Sequence, residues 1–134
     1  MKGYSFYELL ITVIVVATLC ALSLSHYSVQ RERTLDGEAQ TNLAIIIGAE
    51  RDFRRQGTLF LDSNNEAPLN TNLVGVLLPT ANRQWAYSTT QDAANLVCCA
   101  QAERMPLPGR IWRLCTNGNQ PVLGSCGASA VNCP

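Results

Sequence analysis

The sequence is poor in the residues that do chemistry in small proteins. It has one histidine, His26, and one lysine, Lys2. No cysteines are spaced as C-x-x-C, and the lone histidine is far from the cysteine-rich end, so a zinc site is poorly supported. A glycine-rich phosphate loop, paired carboxylates and a partnered nucleophile are also missing. These gaps speak against an enzyme, and no catalytic residue, metal ligand or cofactor is expected. Ten basic and ten acidic residues cancel to a net charge of zero, which removes the electrostatic reason to expect nucleic acid as a partner. At 134 residues the chain is one small globule, with or without an appendage.

The most telling gap is local. Between Glu8 and His26 the only ionisable side chain is the thiol of Cys20. The stretch from Tyr4 to Leu24 reads YSFYELLITVIVVATLCALSL. As a helix it would be about 32 Å long, close to the ~30 Å hydrocarbon core of a bilayer. A membrane span is the simplest account. A cleaved secretory signal is an alternative, with small residues at Ala21, Ser23 and Ser25, but Glu8 would then stand at the mouth of the apolar region without a use. A lipoprotein signal fits less well, because Leu19 precedes Cys20 where a small residue is expected.

Two further features of this segment need explaining. Gly3 is followed by an aromatic residue, and Glu8 comes five positions after it with two leucines behind: G-Y-S-F-Y-E-L-L. This resembles the type IV prepilin signature, a basic leader ending in glycine and then a stretch commonly reading F-T-L-I-E-L-L. Gly3, Glu8, Leu9 and Leu10 match outright; Tyr4 replaces phenylalanine and Ser5 is close to threonine. Tyr7 is more polar than the usual aliphatic residue, and Ser25 stands where many pilins carry a helix-bending proline. The resemblance covers Lys2 to about Leu24.

The resemblance implies a processing route and a mode of assembly. A membrane-embedded prepilin peptidase would cut between Gly3 and Tyr4 and N-methylate the new amino terminus on Tyr4. Glycine before the cut suits a narrow cleft, since it has no Cβ. Glu8 would pair with the positive amino terminus of a neighbouring Tyr4, setting axial register. A carboxylate at the centre of a membrane helix costs on the order of 2.5–3.5 kcal/mol, and such residues are usually functional. The bland alternative has Glu8 snorkelling to water from one turn inside the membrane edge. Thr12, Thr18 and Ser23 are either close-contact hydroxyls or passengers bonded to their own helix. Cys20 reads as a small apolar filler.

Beyond the span the character changes. From His26 to Gln56, Leu35, Ala39, Leu43, Ile46 or Ile47, and Phe53 recur at helical spacing, the stripe of an amphipathic helix packed on a sheet. The charged residues, Glu50 among them, fill the other faces, and Gly57 ends the helix. A polar loop is expected from Leu59 to Asn72. Within it Asp62-Ser63-Asn64-Asn65-Glu66 offers calcium-like oxygens, though an ordinary surface turn accounts for it. Strands are expected at Leu73–Leu78, Arg83–Thr89, Leu96–Ala100, Arg110–Thr116 and Gln120–Leu123, with Trp85 and Tyr87 on one face and a hairpin turn at Asn117-Gly118.

Cysteine points to compartment. Cys98, Cys99, Cys115, Cys126 and Cys133 crowd the end of the chain, and such a cluster reads as disulfides made in an oxidising space. Five is an odd number, which leaves room for one free thiol. The vicinal pair Cys98 and Cys99 is expected to bond to two different partners among Cys115, Cys126 and Cys133, because a bond between neighbours strains the peptide. The connectivity is open. Arg31 and Arg33 after the span do not favour an amino terminus inside the cytoplasm, yet the cysteines place the carboxy-terminal part outside it.

The expectation is an α+β chain: leader 1–3, membrane and filament-core helix 4–25, amphipathic helix 26–57, and a small antiparallel sheet region 58–134 stapled by disulfides. It would be a structural subunit of a type IV pilus or related filament. Its partners would be copies of itself, the prepilin peptidase, an inner-membrane assembly platform with minor pilins, and membrane lipid before assembly. It would sit as a single pass in the inner membrane and then in a periplasmic or surface filament. A pseudopilin of a type II secretion or DNA-uptake apparatus is the close alternative. A monomeric, membrane-anchored extracytoplasmic binding domain is the reading from another class.

Overall fold

A computed structural model describes residues 5–57, 59–92, 94, 96–105 and 109–127, with the backbone alone for 23–26. One helix, α1, spans Phe6–Arg55. The chain forms two compact units, one ending at Asp36 and one beginning at Gly37.

In the second unit, α1 presents Ala39, Leu43, Ile46 and Ile47 to the core, all buried. Steps of three and four residues put them on one face of the helix. Burying each of the three large ones is worth about 1.5–3 kcal/mol. Leu35, in the first unit, and Phe53 are half-buried at the two ends of the expected stripe. Glu50 corrects the sequence reading: it lies on the stripe itself and is wholly buried. After Arg55 the chain turns at Gly57, whose φ of 86° requires glycine and whose N–H donates to the Arg54 carbonyl at 3.0 Å.

Four antiparallel strands make one sheet in the order β1-β2-β3-β4: Trp85–Gln91, Cys98–Arg104, Ile111–Cys115 and Val122–Leu123. Side chains alternate between its faces. Trp85, Tyr87 and Thr89 of β1 lie opposite Arg104, Ala102 and Ala100 of β2, with Leu114 of β3 opposite Ala100. This is the face toward α1, since Asn42 of the helix donates to the Tyr87 hydroxyl at 2.8 Å. The other face carries Cys99, Gln101, Cys115 and Arg113, and there Cys126 bonds to Cys99. The Cys126 N–H donates to Gln101 Oε1 at 3.2 Å, and Arg113 donates to the Ser125 carbonyl at 3.2 Å. Ser125 and Cys126 thus lie over the outer face of the sheet, while β4 itself forms the edge.

Two expectations change between Leu59 and Leu78. The expected loop ends in a helix, α2, spanning Glu66–Asn72. Asn65 caps it, accepting from the Ala67 N–H at 3.2 Å, and Pro68 sits in the first turn, where no intrahelical N–H is needed. The expected strand at Leu73–Leu78 is not a strand. Leu73, Val76 and Leu78 are buried, but Gly75 takes a φ of 82° and breaks the extended run. The Asn70 side chain then satisfies Leu78 on both sides, accepting from its N–H at 2.7 Å and donating to its carbonyl at 2.9 Å. The other four strands occur with shifted ends. The turn at Asn117-Gly118 lies in a wider loop, with the Gly118 N–H on the Cys115 carbonyl at 2.9 Å.

Candidate functional site

In the first unit the apolar part of α1 is uncovered. Phe6 is 74% exposed and Leu22 67%, and the large residues between them are exposed as well. This helix is long and apolar enough to cross a membrane. Thr12 and Thr18 donate back to the carbonyls of Leu9 and Val15, both at 2.8 Å. Their hydroxyls are thereby satisfied within the helix and can enter an apolar environment without a new partner. Cys20 is an exposed free thiol.

Glu8 sits in the first turn, where a negative charge is favoured by the helix dipole, and its N–H donates to the Ser5 carbonyl at 2.9 Å. Among the described residues no basic group is paired with it. Gly3 and Tyr4, the expected cleavage and methylation positions, lie outside the described residues. So does Cys133.

The carboxy-terminal cysteines divide by sheet face. Cys99 and Cys126 form a disulfide, with Cα atoms 5.8 Å apart. Cys115 stands directly opposite Cys99 in the β2–β3 register and is itself disulfide-bonded. The Cys115 and Cys99 sulfurs are 3.7 Å apart, and Cys99, Cys115 and Cys126 form one buried cluster with Val97 against it. Cys98 corrects the expectation that both vicinal cysteines are bonded. It is a free thiol on the helix-facing side, wholly buried. Strand alternation turns neighbours to opposite faces, so Cys98 cannot join the cluster that Cys99 occupies. Burial, and then the nearby carboxylates of Glu50 and Asp62, push the Cys98 thiol well above its ordinary range.

Two acids that the sequence places on a solvated helix face and in a surface turn, Glu50 and Glu66, are buried. Glu50 Oε2 accepts from the Leu61 N–H at 3.0 Å, and Oε1 has no hydrogen-bond partner among the described residues. Burial raises its pKa from 4.5 to about 7, with the Leu61 hydrogen bond pulling the other way. Glu66 guards the outer edge of β1. Its Oε1 accepts from the Tyr87 N–H at 2.7 Å and its Oε2 from Arg83. Next to it, Ser63 and Thr89 exchange backbone hydrogen bonds of 3.0 and 2.8 Å. Of the residues considered for calcium, Ser63 and Glu66 are therefore engaged in holding this edge and Asn65 in capping α2. Among the described residues, no three His, Cys, Asp or Glu side chains come together as a metal site. Spacing could have flagged Glu50, which lies seven residues after Leu43 and four after Ile46. No comparable local signal marks Glu66.

No family model matches the chain, and no curated protein or solved structure matches it.

Proposed function

We propose that the chain is the structural subunit of a type IV pilus or a closely related filament, made as a prepilin and assembled through its amino-terminal helix. The observation that carries this reading is the uncovered apolar half of α1 with one acid, Glu8, in its first turn. An exposed apolar face of this extent calls for lipid, for other copies of itself, or for both in turn. The globular unit supports the reading as well. It is a small antiparallel sheet on the amphipathic half of α1, held by a Cys99–Cys126 disulfide that suits an oxidising compartment.

In this proposal residues 1–3 are removed after Gly3, Tyr4 becomes the methylated amino terminus, and Glu8 meets the Tyr4 amine of a neighbour. The pair neutralises two charges inside an apolar bundle and penalises misaligned neighbours. While the helix is in lipid, packing it against other apolar helices gains little hydrophobic free energy. Leaving lipid for the filament therefore needs a driven extraction step.

The test is the mass of the amino-terminal peptide from protein taken from its native membrane or sheared surface fraction. A peptide beginning at N-methyl-Tyr4 supports the prepilin route. An amino terminus at Met1 favours a monomeric anchored binding domain, and one after Ala21 or Ser23 means a secretion signal.

A further inference from the structure

Three sulfurs meet on the outer face of the sheet, and the central one has two possible partners. Cys99 is bonded to Cys126, yet it stands directly opposite Cys115 in the β2–β3 register. Directly opposed residues of an antiparallel ladder have Cα atoms about 4.5–5.5 Å apart, inside the ~4.4–6.8 Å that a disulfide spans. The Cys115 and Cys99 sulfurs already lie 3.7 Å apart. Both belong to disulfides, so in the oxidised protein neither can attack the other.

We infer that Cys99, Cys115 and Cys126 form a reducible clasp, in which loss of either disulfide transfers bonding to a Cys99–Cys115 cross-strand bond and releases Cys126. The reductant is an external dithiol. If it opens the bond of Cys115, the Cys115 thiolate attacks the Cys99 sulfur, the Cys99–Cys115 bond forms, and Cys126 leaves as thiolate. If it opens the Cys99–Cys126 bond, the Cys99 thiolate attacks the Cys115 sulfur and the former partner of Cys115 leaves. Both routes convert two disulfides and one dithiol into one disulfide, two protein thiols and one oxidised dithiol. The electrons balance, and each transfer is ordinary thiol–disulfide exchange.

Cys98 takes no part, because it points to the helix-facing side and its thiol is held protonated by burial. The consequence is selective. The strands β2 and β3 become stapled to each other, while Cys126 in the segment after β4 loses its covalent tie to the sheet. Among the described residues that segment then keeps the Gly124–Ile111, Cys126–Gln101 and Arg113–Ser125 hydrogen bonds. The clasp does not depend on the filament reading.

The experiment treats the full chain in detergent at pH 8 with one equivalent of a small dithiol, then alkylates it and maps disulfides by mass spectrometry. The expected result is a Cys99–Cys115 linked peptide as the main one-bond product, with Cys126 alkylated. Cys98→Ser should give the same product. In Cys126→Ser, where Cys99 has lost its partner, the Cys99–Cys115 peptide should appear without any reductant. If singly reduced protein keeps Cys99–Cys126, or shows Cys99 and Cys126 both alkylated with no Cys99–Cys115 peptide, the inference is overturned.

Discussion

Replacing Glu50 with glutamine should stabilise the globular unit, by an amount that depends on pH. Glu50 is wholly buried, one oxygen held by the Leu61 N–H and the other without a partner. Its pKa stands at about 7 in the folded chain against an ordinary 4.5. Between those values the folded state binds a proton that the unfolded state does not, so stability falls as pH rises through the window. Below pH 4.5 both states are protonated and Glu50 contributes its full share. Above about pH 7 both are ionised and the loss is complete, about 3 kcal/mol. Glutamine keeps the carbonyl that accepts from Leu61 and carries no charge. Glu50→Gln should therefore match wild type near pH 4 and exceed it by about 3 kcal/mol at pH 8. Urea unfolding of the oxidised protein in detergent can follow this, with the buried Trp85 as fluorescence reporter. Other groups titrate in both proteins and cancel in the difference. A difference between variant and wild type that stays constant from pH 4 to pH 8 would refute the buried, proton-binding carboxyl.

Three further outcomes follow from the same unit. Cys126→Ser leaves the Cys99–Cys115 bond in place of two disulfides and, with one bond fewer, should cost ~2–5 kcal/mol in the same assay, whereas Cys98→Ala breaks no bond and should cost less. Glu66→Ala leaves the Tyr87 N–H and Arg83 without their acceptor, and Arg83 is partly exposed, so the loss should be about 2–3 kcal/mol. Hydrogen exchange at the Tyr87 amide should rise with it. Asn65→Ala removes the cap of α2 and should cost ~1 kcal/mol, with Asn65→Gly less damaging.

How much of this was legible in the sequence depends on how local each determinant is. The core stripe was readable because Ala39, Leu43, Ile46 and Ile47 obey the helical period without outside help. Glu50 obeys it too, but its charge suggested a solvated face. What admits it to the core is one N–H from Leu61, eleven residues away in a loop. The segment Leu73–Leu78 looks like a strand by composition, and only the positive φ of Gly75 and the Asn70 bridge reveal otherwise. Pro68 hid α2, although proline in a first helical turn removes no bond. The separation of Cys98 from Cys99 was available in principle, because any strand turns neighbours to opposite faces. Which of the two faces the helix depends on the register of three strands, and that is not local.

α1 carries two acids on apolar stretches, and the contrast between them bears on assembly. Glu50 is buried within its own unit and lowers its cost with a backbone donor and a proton. Glu8 is exposed among the exposed side chains of Phe6, Tyr7, Leu9 and Leu10, with no basic partner among the described residues. If these apolar neighbours become covered in a bundle, Glu8 is covered with them. The first turn offers it the partial charge of the helix end, about 0.3–1 kcal/mol, which falls short of the several kcal/mol that an unpaired buried ion costs. A cation from another subunit closes that gap, and the amine of a cleaved neighbour is the proposed source. Glu8→Gln separates this from a carboxyl that merely reaches water. Glutamine keeps the shape and hydrogen-bonding reach but cannot pair with an amine as an ion. Under the pairing proposal the variant should still be processed after Gly3, yet yield few filaments in sheared fractions. Filaments in wild-type amount from Glu8→Gln would show that the charge of Glu8 does not drive assembly.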